Sequence, residues 1–338
     1  MRQRLIAPTC IVIAALIAAG CSGETPSRAI GTPGEASAPT FDPDLGRSAG
    51  TPEEAESETA ATIGDEPVQV DSSTDVVHIL GSIRAEPELN ADWANEIPIV
   101  QNDLATIASL SCDQGAACDP VTIASWAEER VEIVNLATSA NVLSSEELVE
   151  TESTLEEAGV AIVGYGQNTE AALSPIIFDN GDIAVAIHAI SLAAVPEVTA
   201  SDNAAGIVGP ELFDSVHNSI AASRASELGV VVIVDWGNLD ARAPTEDELS
   251  EVELLIDAGA DAVVGHGSDF LQRFDQIGSG IVSFGLGNAV TTNEDPLRRD
   301  ASVLRLEFDR PGRSCQLQTT ATTGGPQLDD QTVLDCGG

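Results

Sequence analysis

The chain has 338 residues, 43% of them apolar but only 3% aromatic, and a formal net charge of −41 from 55 acidic residues set against 14 arginines and no lysine. A surface this acidic repels phosphate backbones and anionic lipid headgroups, which excludes nucleic acid as a partner. The apolar share is ample for a core, and the same acidity would suit solvation in a saline medium.

Arg2 and Arg4 precede an apolar run at 5–19, too short for a comfortable bilayer span and of secretory-signal form. The run ends Ala18-Ala19-Gly20-Cys21. Small residues before a cysteine resemble a bacterial lipoprotein cleavage site, although Ala18 stands where leucine is usual. The pattern predicts a signal peptide over 1–20 and a lipid on Cys21 that anchors an exported chain to the membrane, at the cell surface or in the periplasm. The alternative is an ordinary secretory signal with an incidental cysteine. On both readings the mature protein lies outside the cytoplasm and Cys10 leaves with the signal. Residues 21–75 are rich in Pro, Gly, Ser, Thr, Ala and Glu, too polar to offset ordering entropy, and are read as an acidic disordered tether. The charge run at 53–58 is read as simple solvation.

Four further cysteines, Cys112, Cys118, Cys315 and Cys336, are an even number in an exported chain. Sequence proximity favours the disulfides Cys112–Cys118 and Cys315–Cys336. A zinc site is the rival reading, but no Cys-x-x-Cys pair and no nearby histidine supports it. The folded part is expected as one domain over 76–310, followed by a disulfide-closed β segment at 311–338.

Within that domain the runs at 76–80, 131–137 and 160–163 read as strands, with His78 as a satisfied strand residue. Ser144 and Glu147 have capping-box spacing and open a helix with Leu148, Thr151, Leu155 and Ala158 on one face, ending at Gly159. The Gly164-Tyr165-Gly166 turn is weak evidence for phosphate binding and reads as a tight strand-to-loop turn. Asp179-Asn180-Gly181-Asp182 between the runs at 175–178 and 183–189 signals a hairpin, with His188 a core or strand-edge residue of its second strand and not a ligand. Pro210 suits a first helical turn, followed by a stripe of Leu212, Val216, Ile220 and Leu228 flanked by His217. The stretch 228–290 then reads as strand (230–234), loop, helix, strand (262–264) and strand (282–284), the helix opened by Thr245 and Glu248 and closed by Gly259. Its loops, 235–238 and 265–269, fall at the carboxyl ends of strands, where ligands sit in α/β sheets. Residues 302–308 alternate as a half-exposed strand.

Asp235-Trp236-Gly237, the run LIDAGAD at 255–261, Val264-Gly265-His266-Gly267-Ser268-Asp269, Leu271-Gln272 and Leu286-Gly287-Asn288-Ala289 together resemble the CapA-type capsule-synthesis proteins, linked to poly-γ-glutamate capsules. That resemblance implies an α/β fold of the calcineurin-like metallophosphoesterase kind, a four-layer sandwich of two β-sheets flanked by helices. It also implies a metal centre, and there the chain departs from the pattern. Ser82 stands for a metal-binding Asp, Ala108 for an Asn and Leu110 for a Glu. Thr138-Ser139-Ala140 replaces Asn-Asn-His and Leu143 a later Asp, with Asn141 a shifted stand-in. Asp235 and Gly267 each replace a His, and Asp269 replaces a third. Asp235, His266 and Asp269 are the remnants able to hold one divalent ion (Mn, Zn or Fe), with Asp240 and Asn288 near them. The competing reading makes the two aspartates solvated loop carboxylates and His266 a hydrogen-bonding partner of the neighbouring loop.

Three functions follow as expectations. The first is a CapA-like envelope lipoprotein without catalysis and without a cofactor, working on an exported polymer or with envelope assembly proteins. Its charge would repel polyglutamate unless cations mediate. The second is a divergent hydrolase or transferase using one ion on Asp235, His266 and Asp269. The third is a structural surface protein whose acidity is solvation alone.

Overall fold

The computed structural model describes residues 68–69, 76–84, 105–111, 131–139, 144–180, 182–290, 295–298 and 300–308. The expectations for Cys21, the tether, both disulfides and the segment 311–338 lie outside these residues, as do Ala140, Asn141 and Leu143.

In chain order the elements are β1 Val68–Gln69, β2 Val76–Arg84, β3 Ala105–Ser111, β4 Ile133–Asn135, α1 Ser145–Ala158, β5 Ala161–Val163, β6 Tyr165–Gly166, α2 Thr169–Leu173, β7 Ile176–Asp179, β8 Ala184–Ser191, β9 Gly206–Ile207, α3 Phe213–Ala225, β10 Gly229–Asp235, α4 Glu246–Ala258, β11 Ala262–His266, β12 Phe274–Ile277, β13 Gly280–Ser283, β14 Asn288–Val290 and β15 Leu304–Glu307. Both capping boxes form: Ser144 with Glu147 opens α1, and Thr245 with Glu248 opens α4. Each side chain accepts from the N3 amide while the glutamate returns to the cap amide, so two helix-end donors are satisfied at once. Gly159 and Gly259 close these helices in the left-handed region. β2 runs longer than its apolar stretch because Ser82 is carried along by pairing with β3 and β14. β4 is shorter than the expected 131–137.

One sheet has the strand order β1-β7-β8-β10-β11-β13-β12; the other runs β14-β2-β3-β4-β5, with β15 also on β2. β8, β10, β11 and β13 are mutually parallel and β12 closes the edge antiparallel. β2 to β5 are parallel too. Ile187, Val231, Ile233 and Val264 of the first sheet share a core with Ile79, Ile107 and Ile133 of the second. Val230, Val232 and Val234 point the other way, onto Val216 and Ile220 of α3 and Val252 and Leu255 of α4. Leu148 and Leu155 of α1 cover the second sheet. The result is helix, sheet, sheet, helix, with parallel strands ending on a common edge. Among the described residues, no helix is long and apolar enough to cross a membrane.

His188 is core, as expected: it is buried in β8 with its Nε2 3.0 Å from Ser223 Oγ on α3. Burial alone lowers its pKa to about 4, so the ring is neutral near pH 7. His217 sits half-buried at the flank of the α3 stripe.

Candidate functional site

The strand period aims the site. Val231 and Ile233 face the second sheet, so the next residue in the same phase, Asp235, faces it as well. His266 follows Ala262 and Val264 in β11 by the same rule. The parallel register sets Ser191, Asp235 and His266 side by side across β8, β10 and β11. The facing sheet brings its own polar row, with Ser82, Ser109 and Asn135 in register across β2, β3 and β4. Asn135 Nδ2 donates to Ser109 Oγ at 3.1 Å, and Ser82 is also in register with Asn288 of β14.

Asp235 is the hub between the sheets. It is 0% exposed, and its Oδ2 accepts from the Ser191 hydroxyl at 2.8 Å and from the backbone N–H of Ser139. Its Oδ1 accepts from the Gly237 amide at 3.2 Å. Burial pushes its pKa up, opposed by these hydrogen bonds. Gly267, at φ 87°, lies against it: a Cβ there would come 2.1 Å from Asp235 Oδ1. The position is closed to any side chain by conformation and by contact.

His266 is 2% exposed, and neither ring nitrogen has a hydrogen-bond partner in the protein. Burial lowers its pKa to about 4, so the ring is neutral near pH 7 and offers one lone pair and one N–H. Asp269 is 4% exposed and accepts from Asn288 Nδ2 at 3.1 Å and from the Arg298 guanidinium. The same guanidinium bridges to Asp240 and lies 4.8 Å from the Phe270 ring centre, where Arg242 also stacks at 4.2 Å. The two loops are knitted by the Asp269 amide on Leu239 O at 3.0 Å and by Ser268 Oγ and Gln272 Nε2 on Ala241 O at 2.6 and 3.0 Å.

Asp235, His266, Asp269 and Asn288 line one cavity together with Ser82, Leu110 and Thr138. Its volume is about 20 Å³, room for about one water-sized occupant. The positions where the resemblance expects ligands therefore do meet, and Asn288 joins them. Ala108 is also buried in the core. Arg298 and Ser191 were not singled out by sequence reasoning. The sequence pattern assigns Arg298 to no element, and Ser191 is one more polar residue at a strand end.

The donor set does not fit a two-ion centre. Ser82, Leu110, Thr138 and Gly267 bring no carboxylate or imidazole, and both remaining carboxylates are already hydrogen-bonded. Among the described residues, no group of three His, Cys, Asp or Glu side chains has the arrangement of a metal site.

The chain is similar to several known proteins. Residues 116–293 match the family described as bacterial capsule synthesis protein PGA_cap. The capsule biosynthesis protein CapA of Bacillus anthracis is 25% identical over 163 residues, covering 47% of this chain and 39% of CapA. The NAD nucleotidase NadN of Haemophilus influenzae superposes with a TM-score of 0.50 at 9% identity, over 78% of this chain and 60% of that one. A hypothetical protein of Thermus thermophilus gives a TM-score of 0.46 at 16% identity, over 77% and 99% of the two chains. Identities this low speak to fold alone, and the fold is the calcineurin-like metallophosphoesterase sandwich expected from the sequence. With more than half of its length inside the family match, this chain belongs to the PGA_cap family of bacterial capsule synthesis proteins.

Proposed function

We propose that this chain is a non-catalytic CapA-type component of the cell envelope, held at the membrane by a lipid on Cys21 and working in the synthesis or surface assembly of an exported capsule-like polymer. Family membership supports the capsule role. One observation carries the non-catalytic reading. The ligand positions converge on a single cavity, yet Ser82, Leu110, Thr138 and Gly267 stand there, while Asp235 and Asp269 are engaged by donors of the protein itself. A second reading, a hydrolase or transferase using one ion on Asp235, His266 and Asp269, rests on the two unpartnered nitrogens of His266 in that cavity.

The metal content of the full chain, purified in detergent without chelator and offered manganese, zinc and iron, separates the two. The non-catalytic reading expects no ion above background and no phosphoesterase activity. A stoichiometric ion lost in both His266→Ala and Asp235→Asn overturns it in favour of the second. Metabolic labelling with a fatty acid tests the anchor: label on the parent and none on Cys21→Ser is expected, and an unlabelled parent refutes it.

A further inference from the structure

Asp235, His266 and Asp269 line one small cavity, and carboxylate and imidazole are side-chain types that ligate divalent cations. The protein brings its own cation to it. Arg298 binds Asp269 through one guanidinium nitrogen and Asp240 through another, and its plane rests on Phe270. A guanidinium is permanently charged, and this one is pinned by two carboxylates and an aromatic face. Asn288 takes the other oxygen of Asp269, so both oxygens of that carboxylate are claimed by the protein. His266 lines the cavity, buried, with both ring nitrogens unpartnered.

We propose that Arg298 is the resident cation of this site: its guanidinium stands in for a metal ion at Asp269 and determines that the cavity does not take one. The charge, not the shape, of the side chain sets this preference. A site relieved of that charge takes a single divalent transition ion on His266 and Asp269, beside Asp235. This inference rests on the reading of the site as stripped of the family's metal chemistry.

The test is equilibrium dialysis of the full chain in detergent against manganese or zinc, with elemental analysis of the bound ion. The variants are Arg298→Gln, Arg298→Lys and Arg298→Gln combined with His266→Ala. Glutamine keeps a donor for Asp269 without the charge; lysine keeps the charge. Arg298→Gln should bind one ion per chain at least tenfold more tightly than the parent, and Arg298→Lys should behave as the parent. The double variant should lose the ion. The melting temperature of Arg298→Gln should rise on adding manganese while that of the parent stays fixed. Asp240→Asn removes an anchor whose side chain is 81% exposed and so leaves the fold intact. It should raise the affinity about twofold to fivefold, the value of one exposed pair. A parent that carries a stoichiometric ion sinks the non-catalytic reading along with this one. An ion-free parent whose Arg298→Gln form is also ion-free, or whose Asp240→Asn form gains nothing, sinks this inference alone.

Discussion

Removing the Asp235 carboxylate should be among the costliest single changes in the domain. Three donors converge on it: the Ser139 and Gly237 amides and the Ser191 hydroxyl. In Asp235→Ala the hydroxyl rotates to another acceptor, but two amides lose theirs. An unsatisfied buried donor costs about 1–3 kcal/mol, so the pair costs about 2–6 kcal/mol. The carboxylate's own burial penalty, seen as its raised pKa, offsets part of this, which places the expected loss at about 2–4 kcal/mol. Asp235→Asn keeps an oxygen for Ser139 and Ser191 and turns an NH2 only toward Gly237, so it should lose about 1–2 kcal/mol. The assay is urea unfolding followed by tryptophan fluorescence, reading the midpoint at constant slope. The pH dependence adds a signed check. A folded pKa raised above the ordinary aspartate value gives stability present at low pH and lost as pH rises through the folded pKa. The penalty of Asp235→Asn should therefore be larger at acid pH than at pH 8. An alanine variant within about 0.5 kcal/mol of the parent, the usual range for an inconsequential surface change, would refute the assignment of Asp235 as the hub.

Other substitutions probe the same construction. Gly267→Ala adds left-handed strain of about 1–2 kcal/mol to a contact of 2.1 Å with Asp235 Oδ1. It should lose about 3 kcal/mol or more in urea midpoint terms, and a loss below the strain alone would show that the loop yields freely. Thr245→Ala should cost about 1 kcal/mol through the lost cap of α4, with an unchanged unfolding slope. His266, with a folded pKa of about 4 against 6.5, gives stability present above pH 6.5 and lost as pH falls toward 4. That loss amounts to up to about 3 kcal/mol, and thermal melts of His266→Gln should show a shallower acid limb. Equal limbs would mean that the ring titrates normally.

Much of the fold was legible because it rests on local rules. A capping box at the start and a left-handed glycine at the end set the bounds of α1 and α4. The run at 230–234 announced a buried strand, and the βαβ pattern then implied that Asp235 and His266 end neighbouring parallel strands. Residues that are apolar on both faces do not reveal which face meets helices and which meets the second sheet, so the aim of Asp235 was not readable. The edge strand β12 also escaped, because its FDQI sequence is short and mixed in polarity. So did the cap that Asn168 supplies to the five-residue α2. In the site, the missing information was mostly backbone. Ser139 was weighed as a lost side-chain ligand, whereas its foremost contact with Asp235 is made by its N–H, which every non-proline residue carries. Arg298 reaches Asp269 from 29 residues away in sequence, through a turn whose direction no periodicity encodes.

Asp235 and the glycine at 267 are physically coupled. A histidine at 267 would place its Cβ against Asp235 Oδ1, so the aspartate in this position requires the glycine. An aspartate at 235 in turn needs donors at its buried oxygens, and these come from both sheets: Ser191 from β8 of one, Ser139 from the chain leaving β4 of the other. A metal ion in such a cleft ties two sheets together through ligands drawn from each. Here a carboxylate and a guanidinium make the equivalent ties with groups encoded in the chain: Asp235 joins the strand ends across the sheets, while Arg298 joins the 240 and 269 loops. A site that had lost only its ligands would leave those loops and strand ends without partners. In this chain Asp235 and Arg298 supply those ties, and Gly267 leaves the room that Asp235 needs.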